Sequence, residues 1–129
     1  MSDTIEFGII SNFDKNYDYS VFNTNMFSNW KEMTNSYNCI SIPFDTINSI
    51  YSYFKNMQTY ACIYGNDMSG IDLYGVTLIP PTSICDLIQT KNTLCNSINI
   101  KDDNANVKKL FDLFEKAASR NRYVICFGV

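Results

Sequence analysis

Five cysteines, at positions 39, 62, 85, 95 and 126, are the side chains best suited to nucleophilic or metal chemistry, and no histidine stands with them. Histidine is the usual general base for a thiol or hydroxyl and a frequent metal ligand. Its absence removes Ser-His-Asp and Cys-His designs and every zinc site that needs imidazole. No two cysteines show Cys-x-x-Cys spacing. Most lie in apolar runs, such as residues 60–64 and 123–127, where a free Cys packs as a small hydrophobe. An odd count placed this way predicts reduced core thiols in a cytosolic protein, with no disulfide framework and no metal site. Cys85 differs, because the pattern places it in the first turn of a helix, where a thiolate is favoured. It is the best candidate nucleophile, although no imidazole is present to accept its proton.

The carboxylates offer a second chemistry. Asp67 and Asp72 bracket a turn, and paired acids are what glycoside hydrolysis needs. Nothing in the sequence raises one pKa above the other, so both read as solvated turn charges. Residues 65–70, Gly-Asn-Asp-Met-Ser-Gly, suit a hairpin connection better than an anion-binding loop. Asp102 and Asp103 lack the periodic oxygen ligands of a calcium loop and read as negative charge at a helix start. Contact chemistry remains. Asp72 and Tyr74 are expected to face outward from a strand, with Asp67 nearby, and an outward tyrosine beside carboxylates is a plausible partner-binding patch. Asp102 and Asp103 form a second acidic patch. No cofactor is implied.

Ten basic residues against thirteen acidic ones give a net charge of −3 and a pI near 4.7. A nucleic-acid binder needs clustered phosphate-neutralising cations. Lys108 and Lys109 are adjacent and Arg120 and Arg122 lie close by, a set that reads as a solvated helix face. The acidic balance suits a basic partner. Residues 1–6 carry acids and no basic region ahead of an apolar run, so no secretory signal is expected. No apolar stretch reaches membrane-spanning length. Membrane and nucleic-acid partners are therefore not expected, and a cytoplasmic location is.

These side chains must be positioned by elements that the hydrophobic pattern predicts within one domain spanning residues 1–129. Strand is expected over 4–10, with Ile5, Phe7 and Ile9 on one side. A helix is expected from Tyr19 to Met33 through Phe22, Met26, Phe27 and Trp30. A short strand over 38–42 ends at Pro43. Asp45 then caps a helix over 45–56 carrying Ile47, Ile50, Tyr51 and Phe54. Strands over 59–64 and 71–79 pair across the 65–70 turn, with a β-bulge at Gly75 keeping Ile71, Leu73, Val76 and Leu78 on one face. Thr82 or Ser83 caps a third helix through Ile84, Leu87 and Ile88. Residues 94–100 hold a short strand or packed loop. The last helix carries an apolar stripe of Val107, Leu110, Phe111, Phe114, Ala117 and Ala118, with Asp112 and Lys116 paired on its wet face. Strand over 122–128 closes the chain. The mixture predicts an α+β fold: a mostly antiparallel sheet with three to four helices packed on it.

Two segments carry a family resemblance. Gly75-Val76-Thr77-Leu78-Ile79-Pro80-Pro81-Thr82-Ser83 leads from strand to helix, and Leu110 to Ala118 is followed by a closing Tyr123-Val124-Ile125-Cys126-Phe127-Gly128-Val129 strand. Together they resemble small bacterial immunity proteins of contact-dependent growth inhibition and related polymorphic toxin systems. The resemblance implies a cytosolic protein that neutralises a cognate toxin domain, often a nuclease, by tight stoichiometric binding. On that reading acidic and aromatic side chains occlude the substrate site of a basic toxin domain. The rival expectations are a viral or mobile-element protein that binds a host factor, and a small enzyme using Cys85 or paired acids.

Overall fold

The computed structural model describes residues 3–19, 36–91 and 104–128. Among the described residues six strands form one sheet in the order β2-β1-β6-β5-β3-β4, and every pairing between them is antiparallel. The strands are β1 (Thr4–Ile9), β2 (Ile40–Pro43), β3 (Gln58–Ala61), β4 (Asp67–Ser69), β5 (Val76–Ile79) and β6 (Val124–Phe127). The helices among the described residues are α1 (Phe44–Ile50), α2 (Pro81–Gln89) and α3 (Asn104–Ser119), with a 3-10 turn at Tyr51–Tyr53. The α+β class and the antiparallel sheet are as the pattern predicts. The helix expected over 19–33 and the strand expected over 94–100 lie outside the described residues, apart from Tyr19.

The sheet is covered on both faces. On the first, Ile5 and Phe7 of β1, Ile42 of β2, and Val124 and Cys126 of β6 pack against the apolar sides of all three helices. Phe114 of α3 is the hub of this core, fully buried and edge-on to Phe7, Phe54 and Phe111. On the second face, Val76, Leu78, Ile125 and Phe127 are covered by residues 10–19, which cross the sheet between an Ile10 N–H to Tyr123 oxygen bond and a Tyr19 N–H to Cys62 oxygen bond, both 2.9 Å. Phe13 stacks on Tyr123 with centroids 3.8 Å apart. The strand β6 is central and buried on both sides, so its alternation sorts residues between two apolar cores and not between core and water.

Several local expectations change. Asn38 has a left-handed φ of 50°, so β2 begins at Ile40 and runs through Pro43. The helix α1 starts at Phe44 after Pro43 with no side-chain cap. Asp45 sits in its first turn, exposed, where its charge still favours the helix dipole. The helix α2 starts at Pro81, whose fixed φ suits the first helical position, so neither Thr82 nor Ser83 caps it. The Ser83 hydroxyl instead donates to the Gln58 carbonyl at 2.7 Å, tying α2 to β3. Cys85 is the fifth residue of α2, past the first turn. Among the described residues the ion pair that α3 makes is Glu115 with Lys91 at 3.3 Å, not Asp112 with Lys116.

The largest correction lies between residues 62 and 75. Left-handed Cys62 (φ 62°) and Gly65 (φ 89°) turn the chain early, so the expected hairpin loop itself contains the edge strand β4. Residues 71–75 are not strand. They recross the first face, burying Ile71 and partly burying Leu73 there, while Val76 and Leu78 point into the second core. The phase change at Gly75 is thus a turn between layers, not a bulge. The expected partnership of β3 and β5 does form, as Tyr60↔Leu78 and Ala61↔Thr77.

Candidate functional site

Among the described residues Tyr74 is the most exposed large hydrophobic side chain, at 73%. Turn chemistry holds it there. The Tyr74 N–H donates to Asp72 Oδ1 at 2.9 Å, and the Asp72 N–H donates to Thr77 Oγ1 at 2.9 Å. An Asp side chain that accepts the amide two residues on replaces a backbone turn bond. The Asp72 carboxylate rests against the Cα of Gly75, where any Cβ would collide with it. Gly128 passes beneath the Leu73–Tyr74 backbone with the same close approach, and its N–H donates to the Gly75 carbonyl at 2.8 Å. Both glycines are needed for contact, not for an unusual φ.

On its other side the Tyr74 ring lies 6.2 Å from that of half-buried Phe44. The Phe44 N–H donates to the Asp3 carbonyl at 2.9 Å, so the start of β1, the end of β2 and the turn before β5 meet at one end of the sheet. Asp3, Asp45 and Asp72 are all exposed on these segments. A shallow hollow of about 340 Å³ adjoins Asp72 and Tyr74, lined also by Tyr51, Met68, Ile71 and Leu73. The result is a protruding aromatic ring with an apolar flank and an acidic surround. Such a surface can anchor in a partner's pocket while its charges steer a basic partner in.

The structure brings Asp72 and Tyr74 together and separates Asp67 from them. Asp67 is exposed on β4 opposite Tyr60, whose ring packs on the second face, and it accepts a 3.3 Å bond from Gln58 Nε2. Cross-strand partners share a face. Asp67 and Asp72 are therefore on opposite faces and cannot act as an acid pair. Asp102 and Asp103 lie outside the described residues. Asp3, Phe44 and Asp45 join the site with no signal in the sequence to place them there. Asp45 reads in the sequence only as a helix cap, and no linear spacing links it to Tyr74.

Cys95 lies outside the described residues, and the four described thiols are not gathered into a metal centre. Cys126 is fully buried, and burial pushes its pKa well up. Cys39 is half-buried and pushed up to about 12, first by burial and then by the nearby Glu6 charge. Burial, with help from Asp18 and Asp72, raises Cys62 as well. Each of these environments opposes a thiolate. Cys85 is exposed on α2. Among the described residues no group of three or more Cys, Asp or Glu is placed to hold a metal ion. No helix among them is long and apolar enough to cross a membrane.

No family model matches the chain, and neither curated proteins nor solved structures give a significant match.

Proposed function

We propose that this chain acts by stoichiometric binding to a basic protein partner, in the manner of a toxin-neutralising immunity protein. Tyr74 is the anchor, and Asp3, Asp45 and Asp72 supply the attraction. The observation that carries the reading is the exposure of Tyr74, at 73%, on a turn braced by Asp72, Gly75 and Gly128. A tyrosine has few rotatable bonds and this one stands on a braced backbone, so it loses little conformational entropy when it is captured. Opposite charge around it raises the rate of encounter. The partner that fits is a domain whose positively charged cleft normally takes an anionic substrate, and a nuclease is the leading case.

Co-expression with the product of the adjacent reading frame tests the proposal. The expected result is protection of the host cell and a one-to-one complex on size exclusion. Tyr74→Ala should weaken that complex roughly 30-fold, the effect of losing an interface anchor worth about 2 kcal/mol. A chain that neither protects nor binds, or a Tyr74→Ala variant that binds as tightly as the parent, overturns it.

A further inference from the structure

The opposite end of β1 carries the opposite charge. A cleft of about 310 Å³ opens there between α3 and the β1–β2 edge of the sheet, and Lys109, Lys116, Arg120 and Arg122 line it, with Asp112 as the one carboxylate among its described lining residues. This local charge of +3 stands in a chain of net −3, so the remainder carries −6. The cations are gathered by helix geometry. Lys109, Leu113 and Lys116 fall at i, i+4 and i+7 on one stripe of α3, and Arg120, at i+11, continues it in the turn that follows. Arg122 joins them through the helix stop. Asn121 takes a left-handed φ of 53°, its N–H donates to the Ala118 carbonyl, and the Arg122 N–H reaches back to the Ala117 carbonyl, each at 3.0 Å. That pair of bonds is the Schellman arrangement, and it fixes the direction of the chain on either side of Asn121.

A plain explanation is that cations complement the negative end of the α3 dipole. The dipole end amounts to about half an elementary charge. One cation satisfies it, and Lys116, Arg120 and Arg122 are three. Among the described residues none of the four cleft cations has a carboxylate within ion-pair distance. Ile9, Ile40 and Leu113 add an apolar lining to the cleft. A second hollow of about 250 Å³ adjoins it, sharing Ile9, Ser11 and Tyr37 as the common wall and adding Tyr17 and Tyr19. Asp14 also lines this second hollow, so an anion is favoured in the cleft and not in the hollow. Cations beside apolar side chains and a tyrosine-lined hollow call for an anion that carries a flat apolar body.

We propose that this cleft binds a small phosphorylated ligand of mononucleotide size, with its phosphate among Lys116, Arg120 and Arg122 and its ring toward the tyrosine-lined hollow. Size and charge support a small ligand. The volume matches the lower range of small-molecule sites, about 300 Å³. A polyanion running beyond the cleft would meet the −6 carried by the rest of the chain, whereas a single phosphate is held within a few ångströms of the cations. Arg and Lys then supply charge-assisted bonds to the phosphate oxygens. The site lies away from Tyr74, and its occupancy is independent of the protein partner proposed above.

Isothermal titration of the full chain with adenosine monophosphate, adenosine and inorganic phosphate tests this. The monophosphate should bind, with adenosine and inorganic phosphate each at least about tenfold weaker, because each lacks one half of the recognition. Lys116→Gln combined with Arg120→Gln should weaken the monophosphate at least about tenfold, and Asp112→Asn should tighten it, since a repelling charge is removed. All three side chains are exposed, so the variants keep the fold. No binding of the monophosphate at about 1 mM overturns the proposal. So does equal binding by the double variant, equal binding of adenosine or of inorganic phosphate, or a single-stranded oligonucleotide that binds more tightly than the mononucleotide.

Discussion

Asp72 and Gly75 should be energetically coupled, and the coupling reports whether the Tyr74 turn is built as described. The Asp72 carboxylate accepts the Tyr74 N–H at 2.9 Å and occupies the space where a Cβ at Gly75 would stand. Gly75 does not have a positive φ, so alanine suits its backbone. Gly→Ala at such a position stabilises by about 0.4–1 kcal/mol through the unfolded chain. In the parent that gain is opposed, because the new methyl displaces Asp72 and its bond is lost at a cost of about 1 kcal/mol, by analogy with a helix cap. Gly75→Ala alone should therefore be neutral or mildly destabilising. Asp72→Ala alone should cost about 1 kcal/mol. In the Asp72→Ala background the collision is gone, and Gly75→Ala should stabilise by the full 0.4–1 kcal/mol or so. The coupling is about 1 kcal/mol, a difference of roughly 0.3–1 M in urea midpoint for ordinary m-values. Urea unfolding of the four proteins measures it. Additivity within about 0.5 kcal/mol would mean that the carboxylate does not brace the turn, and the preorganisation of Tyr74 would lose its basis.

Tyr74→Ala should leave stability within about 0.5 kcal/mol, since the ring is mostly in water, and calorimetric unfolding checks this separately from binding. Phe114→Ala should cost about 3–5 kcal/mol in urea unfolding, because three aromatic neighbours close around a fully buried ring and cannot all collapse into the gap. Stability should fall in alkali: burial raises Cys39 from 9.0 and Tyr37 from 10.0, each to about 12, so unfolding releases their protons. That contribution is complete below pH 9 and is lost as pH rises toward 12, which urea midpoints taken across the interval will follow. With a thiol reagent at neutral pH, exposed Cys85 should react rapidly while buried Cys126 reacts only on unfolding, as mass spectrometry of the modified sites will show.

The parts of the fold legible in the sequence are those where one physical cause dominates. The stripe of α3 and the run of β6 are long apolar patterns, and burial decides them. The segment 62–75 was not legible because several local bonds compete with the strand pattern. Left-handed Cys62 and the side-chain bond of Asp72 turn the chain where the alternation suggests it runs straight. A cysteine at positive φ carries no warning in composition. Of the Tyr74 site, Asp72 and Tyr74 were visible as outward side chains beside a turn. Asp3, Phe44 and Asp45 were not, since only the β1–β2 register brings residues forty positions apart into contact. The basic cleft did leave a trace. The adjacent pair Lys108–Lys109 draws the eye, but Lys109 alone belongs to the stripe that continues through Lys116 and Arg120. Reading the cations at helical intervals finds that set, and reading them as neighbours does not.

The two surfaces are held apart by the length of the sheet. Phe44 follows the end of β2 that pairs with Thr4, while Ile9 and Ser11 border the cleft at the other end of β1. Six residues of strand at about 3.3 Å each separate these ends by roughly 20 Å. At physiological salt the screening length is about 8 Å, so charge at one end is felt weakly at the other. A basic partner seated on Tyr74 therefore does not neutralise the cleft, and an anion in the cleft does not weaken the acidic surface. Any linkage between the two would have to pass through β1, whose Ile5 and Phe7 are locked in the first core and whose Gly8 admits no side chain because Tyr37 and Cys39 fill the space above it. A strand packed this closely resists displacement, and coupling between sites requires an element with two arrangements. On the two proposals above, partner binding and anion binding should accordingly be additive in free energy, and a titration of the monophosphate in the presence and absence of the partner should give the same affinity.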